Sequence, residues 1–231
     1  GQDILTTLLE AFVVTGELAV FAVLVSALIG IPLGLLAALR PYGPIDHLLR
    51  IFSLTGVSVP VFFQGTVLIV LFSLFSPWKP PVIFEYPWDS LSMNLQIMIL
   101  PAFALGLASS AVVMRMTRSS LLDTLGQDFI RTARAKGLKE SIVIFRHALK
   151  TVMISVVTAL GLEFGQILGG IVVVEVVFSL PGVGQTIFNA LVERDFPLVQ
   201  SGILMITFVT LCINTIVDIA YAYIDPRIRY K

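Results

Sequence analysis

Residues 127–150 read QDFIRTARAKGLKESIVIFRHALK, the one long polar interval in a 231-residue chain that is 57% hydrophobic. Arg131, Arg134, Lys136, Lys139, Arg146 and Lys150 are basic, with His147 beside them, against only Asp128 and Glu140. Apolar segments of membrane length flank the interval on both sides, so it is read as a loop at the cytoplasmic surface. The pattern inside it is helical. Asp128 is placed to cap a short helix running through Ala135, and Gly137 is a natural stop. A second helix is expected from about Lys139, with Leu138, Ile142, Phe145 and Leu149 on one face at spacings of four, three and four. A basic amphipathic loop can lie on anionic lipid. An Ala-rich helix, a Gly break and a second apolar-faced helix fit a docking knuckle for another protein better.

Working outward, only 13% of residues are charged, about half of what a soluble domain carries. Apolar runs well beyond 18 residues point to lipid rather than to a soluble core. Five spans are read: Leu18–Leu39; Leu54–Phe75, broken at Pro60; Ile97–Met114, kinked at Pro101; Val152–Phe178; and Leu198–Ile224. The fold class is therefore all-α, a multi-pass membrane protein with one domain over residues 1–231 and the 127–150 loop within it. Net charge is zero, so bulk attraction to nucleic acid is not implied. The lone Cys212 excludes an internal disulfide.

Counting Lys and Arg orients the chain. Arg40 and Arg50 precede the second span, eight cations from Arg115 to Lys150 precede the fourth, and Arg227, Arg229 and Lys231 follow the fifth. These thirteen of fifteen share one side, expected to be cytoplasmic; Lys79 and Arg194 lie opposite. The first residues then start outside, as they would if one helix preceded them. Small residues recur every fourth position at Ser26, Gly30, Gly34 and Ala38, at Ala102, Gly106 and Ser110, and at Gly161, Gly165 and Gly169, which suits close helix packing in lipid.

Intramembrane charge is costly and therefore informative. Glu163 and Gln166 share a helix face and are candidates to line a polar path. Glu175 and Asp218 are expected to be structural, through capping or inter-helix hydrogen bonds. Residues 179–184, SLPGVG, mark a turn into a short external helix over Thr186–Val192. Phosphate-loop, nucleophile-elbow and H-E-x-x-H signatures are missing from the sequence, and His47 and His147 stand alone, so neither catalysis nor a metal site is read here. ATP-driven work would fall to another chain.

Arg131-Thr132-Ala133-Arg134-Ala135-Lys136-Gly137 resembles the cytoplasmic EAA loop of ABC importer permeases, in the T-A-R-A-K-G form of the dipeptide, oligopeptide and nickel branch. Arg131 stands where the general pattern has an acid and Lys150 where it closes on Pro; both departures are usual in the peptide branch. The resemblance continues through Ile31-Pro32-Leu33-Gly34, Gly169-Gly170, Val174-Glu175, Leu180-Pro181-Gly182-Val183-Gly184, Arg194-Asp195-Phe196-Pro197 and Asp225-Pro226-Arg227. It implies a type I importer fold with six spans, of which the first would be the one not present here, in a bacterial or archaeal inner membrane. It also implies a second related permease as heterodimer partner, two cytoplasmic ATPases carrying ATP and Mg, and an external binding protein that delivers the substrate. No cofactor is implied on this chain.

In such a machine the loop is a coupling helix seated in an ATPase groove. Thr132, Ala133, Arg134, Ala135, Lys136, Gly137, Leu138, Ile142, Phe145 and Arg146 are the residues expected to carry coupling, with Gly137 as the left-handed turn and Phe145 as the anchor. Peptide is the expected cargo; nickel or another small solute is the alternative within the family. An ATP-independent secondary transporter or channel would share the hydropathy but need no ATPase.

Overall fold

The computed structural model describes residues 3–81 and 83–224. Every regular element among them is helical: α1 (Ile4–Leu39), α2 (Pro44–Ser58), α3 (Val61–Phe75), α4 (Leu91–Leu125), α5 (Asp128–Ala135), α6 (Glu140–Ile142), a π-helical stretch Val143–Ala148, α7 (Leu149–Phe178), α8 (Val183–Glu193) and α9 (Phe196–Ile224). Among the described residues four helices are long and apolar enough to cross a bilayer: α1, α4, the continuous run Glu140–Phe178, and α9. The α2–α3 pair makes a fifth apolar passage, broken by a 105° bend. Pro60 sets that break: it sits at the N-cap of α3 and holds Val59 extended before it.

The first, third and fourth spans are longer than expected from hydropathy, the fourth because its helix runs on from Glu140. The first begins at Ile4 rather than Leu18, with Asp3 as its cap through Leu5 N–H. Leu8, Ala11 and Val14 are buried there, so packing extends the helix past Glu10 and Glu17. Glu17 is answered by Asn94 Nδ2 of α4 at 3.2 Å. The third extends beyond Met114 to Leu125 because its cations find partners on α2. Arg115 Nη1 donates to Ser53 Oγ at 2.7 Å, and Arg118 grips Asp46 with two hydrogen bonds of 2.7 Å. Asp46 is fully buried, and those bonds from Arg118, with a third from Tyr42 N–H at 2.9 Å, satisfy its carboxylate.

The small-residue row of α1 is a backbone contact with α4. A Cβ on Gly30 would lie 2.8 Å from Ser110 O, and one on Gly34 would lie 2.7 Å from Met114 O. Gly106 of α4 answers with Val25 and Ala22 O against it. This close approach gives dispersion contact along both helices, which substitutes for the hydrophobic drive that lipid removes. The row on α7 is split: Gly161 and Gly165 face Val217 and Asn214 of α9, whereas Gly169 faces open space. Among the described residues of α9 more than half are exposed, including Ile203, Leu204, Phe208 and Leu211.

Candidate functional sites

At one end of the bundle, α5 and the π-helical stretch fold into an elbow beneath α4 and α7. Ile130 and Ala133 of α5 are buried with Val143, Ala148, Val152 and Leu121 in one apolar cluster, which fixes the elbow to the spans. Asp128 opens α5 as its first residue, and Gln127 is the N-cap. The carboxylate of Asp128 instead faces Arg131 Nη1 at 3.4 Å, while its carbonyl accepts from Thr132 Oγ1. The bend after α5 turns at Gly137, whose φ of +75° is the left-handed conformation that suits glycine, and Gly137 N–H closes on Arg134 O at 2.9 Å. Arg134 and Glu140 clasp across it, with Nη2···Oε1 at 2.6 Å and Nε···Oε2 at 3.1 Å. Those bonds hold the Glu140 carboxyl below its ordinary value. Sequence reading missed this clasp; the i, i+6 spacing fits no single helix and acquires meaning only once the chain turns at Gly137.

Beyond the bend, Leu138, Ile142 and Phe145 are exposed, Phe145 at 62%. Leu149, expected on the same face, is half-buried, because Val143–Ala148 winds as a π-helix and shifts the later residues around the axis. Ala135, Lys136, Lys139 and Arg146 are exposed beside the apolar three. The elbow thus has an inner face anchored in the bundle and an outer face of three apolar side chains among cations.

Farther along α7, Glu163 and Gln166 line one cleft of about 260 Å³ with Gly56, Val59, Pro60, Ser109 and Gly170. Ser109 is the polar side chain of α4 that shares this cleft with Glu163. The cleft lies where the α2–α3 passage breaks. Gln64 Nε2 caps the free end of α2, donating to Gly56 O at 3.0 Å and Val59 O at 2.8 Å.

At the opposite end of α7, Glu175 is fully buried and joins three helices. Oε1 accepts from Thr15 Oγ1 of α1 at 2.6 Å; Oε2 accepts from Gly184 N at 2.7 Å and Gln185 N at 3.2 Å of α8. Thr15 Oγ1 in turn accepts from Val183 N at 2.9 Å. The carboxylate acts as a cap supplied from another helix to the N-terminus of α8, where the macrodipole favours negative charge. A Cβ on Gly182 would collide with this carboxyl group, which explains a glycine there. Asp218 lies on α9, with its side chain outside the described residues.

The sequence pattern of the binding-protein-dependent transport system inner membrane component matches residues 30–230, nearly all of the chain. This chain belongs to that family. The dipeptide transport system permease protein DppB of Escherichia coli K12 is 40% identical to this family member over 243 residues, covering 95% of this chain and 72% of that protein. DppB of Alkalihalophilus pseudofirmus is 38% identical, covering 94% and 71%. The glutathione transport system permease protein GsiC of Salmonella paratyphi A is 40% identical, covering 95% and 69%. Among solved structures, an amino acid ABC transporter chain superposes with a TM-score of 0.70 at 17% identity, over 96% of this chain and 99% of its own. The inward-facing MetNI methionine ABC transporter gives 0.74 at 15%, over 97% and 99%. At those identities the likeness is one of fold, and that fold is the type I importer permease. The family member is thus a multi-pass membrane permease component rather than an enzyme.

Proposed function

We propose that this chain is the permease subunit of an ATP-driven peptide importer, and that the 127–150 elbow seats a cytoplasmic ATPase subunit. The observation that carries the reading is the two-faced elbow: Ile130, Ala133, Val143 and Ala148 bind it to α4 and α7, while Leu138, Ile142 and Phe145 face outward. Exposed apolar anchors among Lys136, Lys139 and Arg146 suit an apolar groove with an acidic rim. A push on that face is delivered to the spans because the inner face is packed against them. Peptide as cargo is supported by the named function of the dipeptide and glutathione relatives.

The remaining partners follow from the same reading: a second, related permease in a heterodimer and an external binding protein. The exposed apolar length of α9 leaves room for a neighbour within the membrane. The elbow and the cation-rich ends of the spans then lie in the cytoplasm, with α8 outside. Glu163 and Gln166 line the path taken by the peptide, and Glu175 braces its outer end. The test is Phe145→Asp and Gly137→Asp in the reconstituted complex of both permeases, the ATPases and the binding protein. Peptide-stimulated ATP hydrolysis is expected to fall at least tenfold, since a buried interface anchor is worth about 2 kcal/mol or more. Retention of wild-type stimulation in both variants refutes the docking role.

A further inference from the structure

The cleft beside Glu163 has a chemical bias that the importer reading does not by itself require. Glu163 is only 6% exposed and presents its carboxylate among Ser109, Gln166 and the end of α2. That end is a helix C-terminus, whose carbonyls carry partial negative charge. Gln64 takes up part of the carbonyl capacity of Gly56 and Val59, and each of those oxygens keeps a second lone pair. Among the described residues no cationic side chain lines the cleft, and the guanidinium of Arg115 is directed to Ser53 Oγ on α2 and forms no ion pair with Glu163. Val57, Val61, Leu105 and Val112 complete an apolar wall. A buried carboxylate and a helix C-terminus converge on one space, and a positive group is what such a space stabilises.

At about 260 Å³ the cleft is smaller than the roughly 300–1,000 Å³ of sites that enclose a drug-sized ligand, so it suits one end of a peptide rather than the whole. We propose that it receives the protonated α-amino group of the peptide in transit, with Glu163 as counter-ion and Ser109 and Gln166 as hydrogen-bond partners. This rests on the peptide-importer reading and assigns the amino end of the cargo to this subunit. Glu163 is thereby a specificity-determining residue.

The test uses the complete reconstituted complex, with Glu163→Gln and Glu163→Asp variants. Uptake is measured for a free dipeptide and for its des-amino analogue, each supplied with binding protein shown to be loaded. Glu163→Gln is expected to slow uptake of the free dipeptide by about tenfold or more, the worth of one charge-assisted hydrogen bond. The des-amino analogue should be slow in wild type and no slower in Glu163→Gln, and Glu163→Asp should recover part of the free-dipeptide rate. Wild-type uptake of the free dipeptide by Glu163→Gln overturns the assignment. Equal loss for both cargoes overturns it too, because a purely structural role makes no distinction between them. A wild-type complex that stimulates ATP hydrolysis but moves neither cargo refutes the importer reading for peptides and the assignment with it.

Discussion

Replacing Glu175 separates shape from charge at the C-terminal end of α7. In Glu175→Ala, Gly184 N loses its acceptor in a buried position, and Gln185 N loses its own at a half-buried one. Thr15 can turn its proton fully to Ala11 O, 3.3 Å away, so it is not orphaned. Two amides without partners, at about 1–3 kcal/mol each, give a loss of about 3 kcal/mol before the vacated volume is considered. Glu175→Gln behaves differently. Its oxygen can accept from Gly184 and Gln185, and its amide can donate to Thr15 Oγ1, which has a lone pair free once its proton points to Ala11. What is lost is charge assistance alone, about 1 kcal/mol. For a chain of this size each kcal/mol moves a thermal midpoint by roughly 2–4 °C, so Ala should lower it by about 6–12 °C and Gln by about 2–4 °C. Thermal unfolding of the purified complex, together with hydrogen exchange at the Gly184 and Gln185 amides, reads both. Equal shifts for Ala and Gln, or unprotected amides in the wild type, would refute the view that this carboxylate caps α8.

Other outcomes follow from the same geometry. Gly34→Ala should destabilise the bundle by at least 1–3 kcal/mol through overpacking against Met114 O, while Gly169→Ala, with nothing near its Cβ, should be neutral; thermal midpoints of the two variants decide. Asp46→Ala strands Arg118, which is 14% exposed, and should cost about 3 kcal/mol. A thermal midpoint for Asp46→Ala equal to that of the wild type would refute the weight given to this pair. Glu140→Lys removes the clasp on Arg134 and sets two cations across the bend. Peptide-stimulated ATPase should then fall more than basal ATPase, as measured in proteoliposomes.

Much of this molecule could be read from local pattern. The elbow, its turn at Gly137, the short helix after SLPGVG and the break at Pro60 each follow from a residue whose backbone preference acts over one turn. Glu163 and Gln166 do meet in a cleft, as i and i+3 on α7 require. What escaped were features made by distant partners. Arg115 and Arg118 looked like the end of a span and are instead its continuation, since Ser53 and Asp46 lie more than sixty residues earlier. Asp128 had the composition of a cap, but the chain entered the helix one residue sooner. Glu175 was expected to be structural from its place in a span, and its ties to Thr15 and to the α8 amides emerge only with the packing of three helices.

The π-helical stretch at Val143–Ala148 carries a last consequence. Such a stretch accommodates one more residue per turn than its neighbours, so deleting any one residue there would let the helix close in ordinary α geometry. The turn would then close with one residue fewer, so the Gly137 turn upstream would keep its bearing around the α7 axis, whereas a deletion in the α-helical part of α7 would swing it by about 100°. The compass bearing of the elbow is therefore written in the residue count of the α-helical part of α7, and the π-helical stretch is the one place where a one-codon deletion would be absorbed.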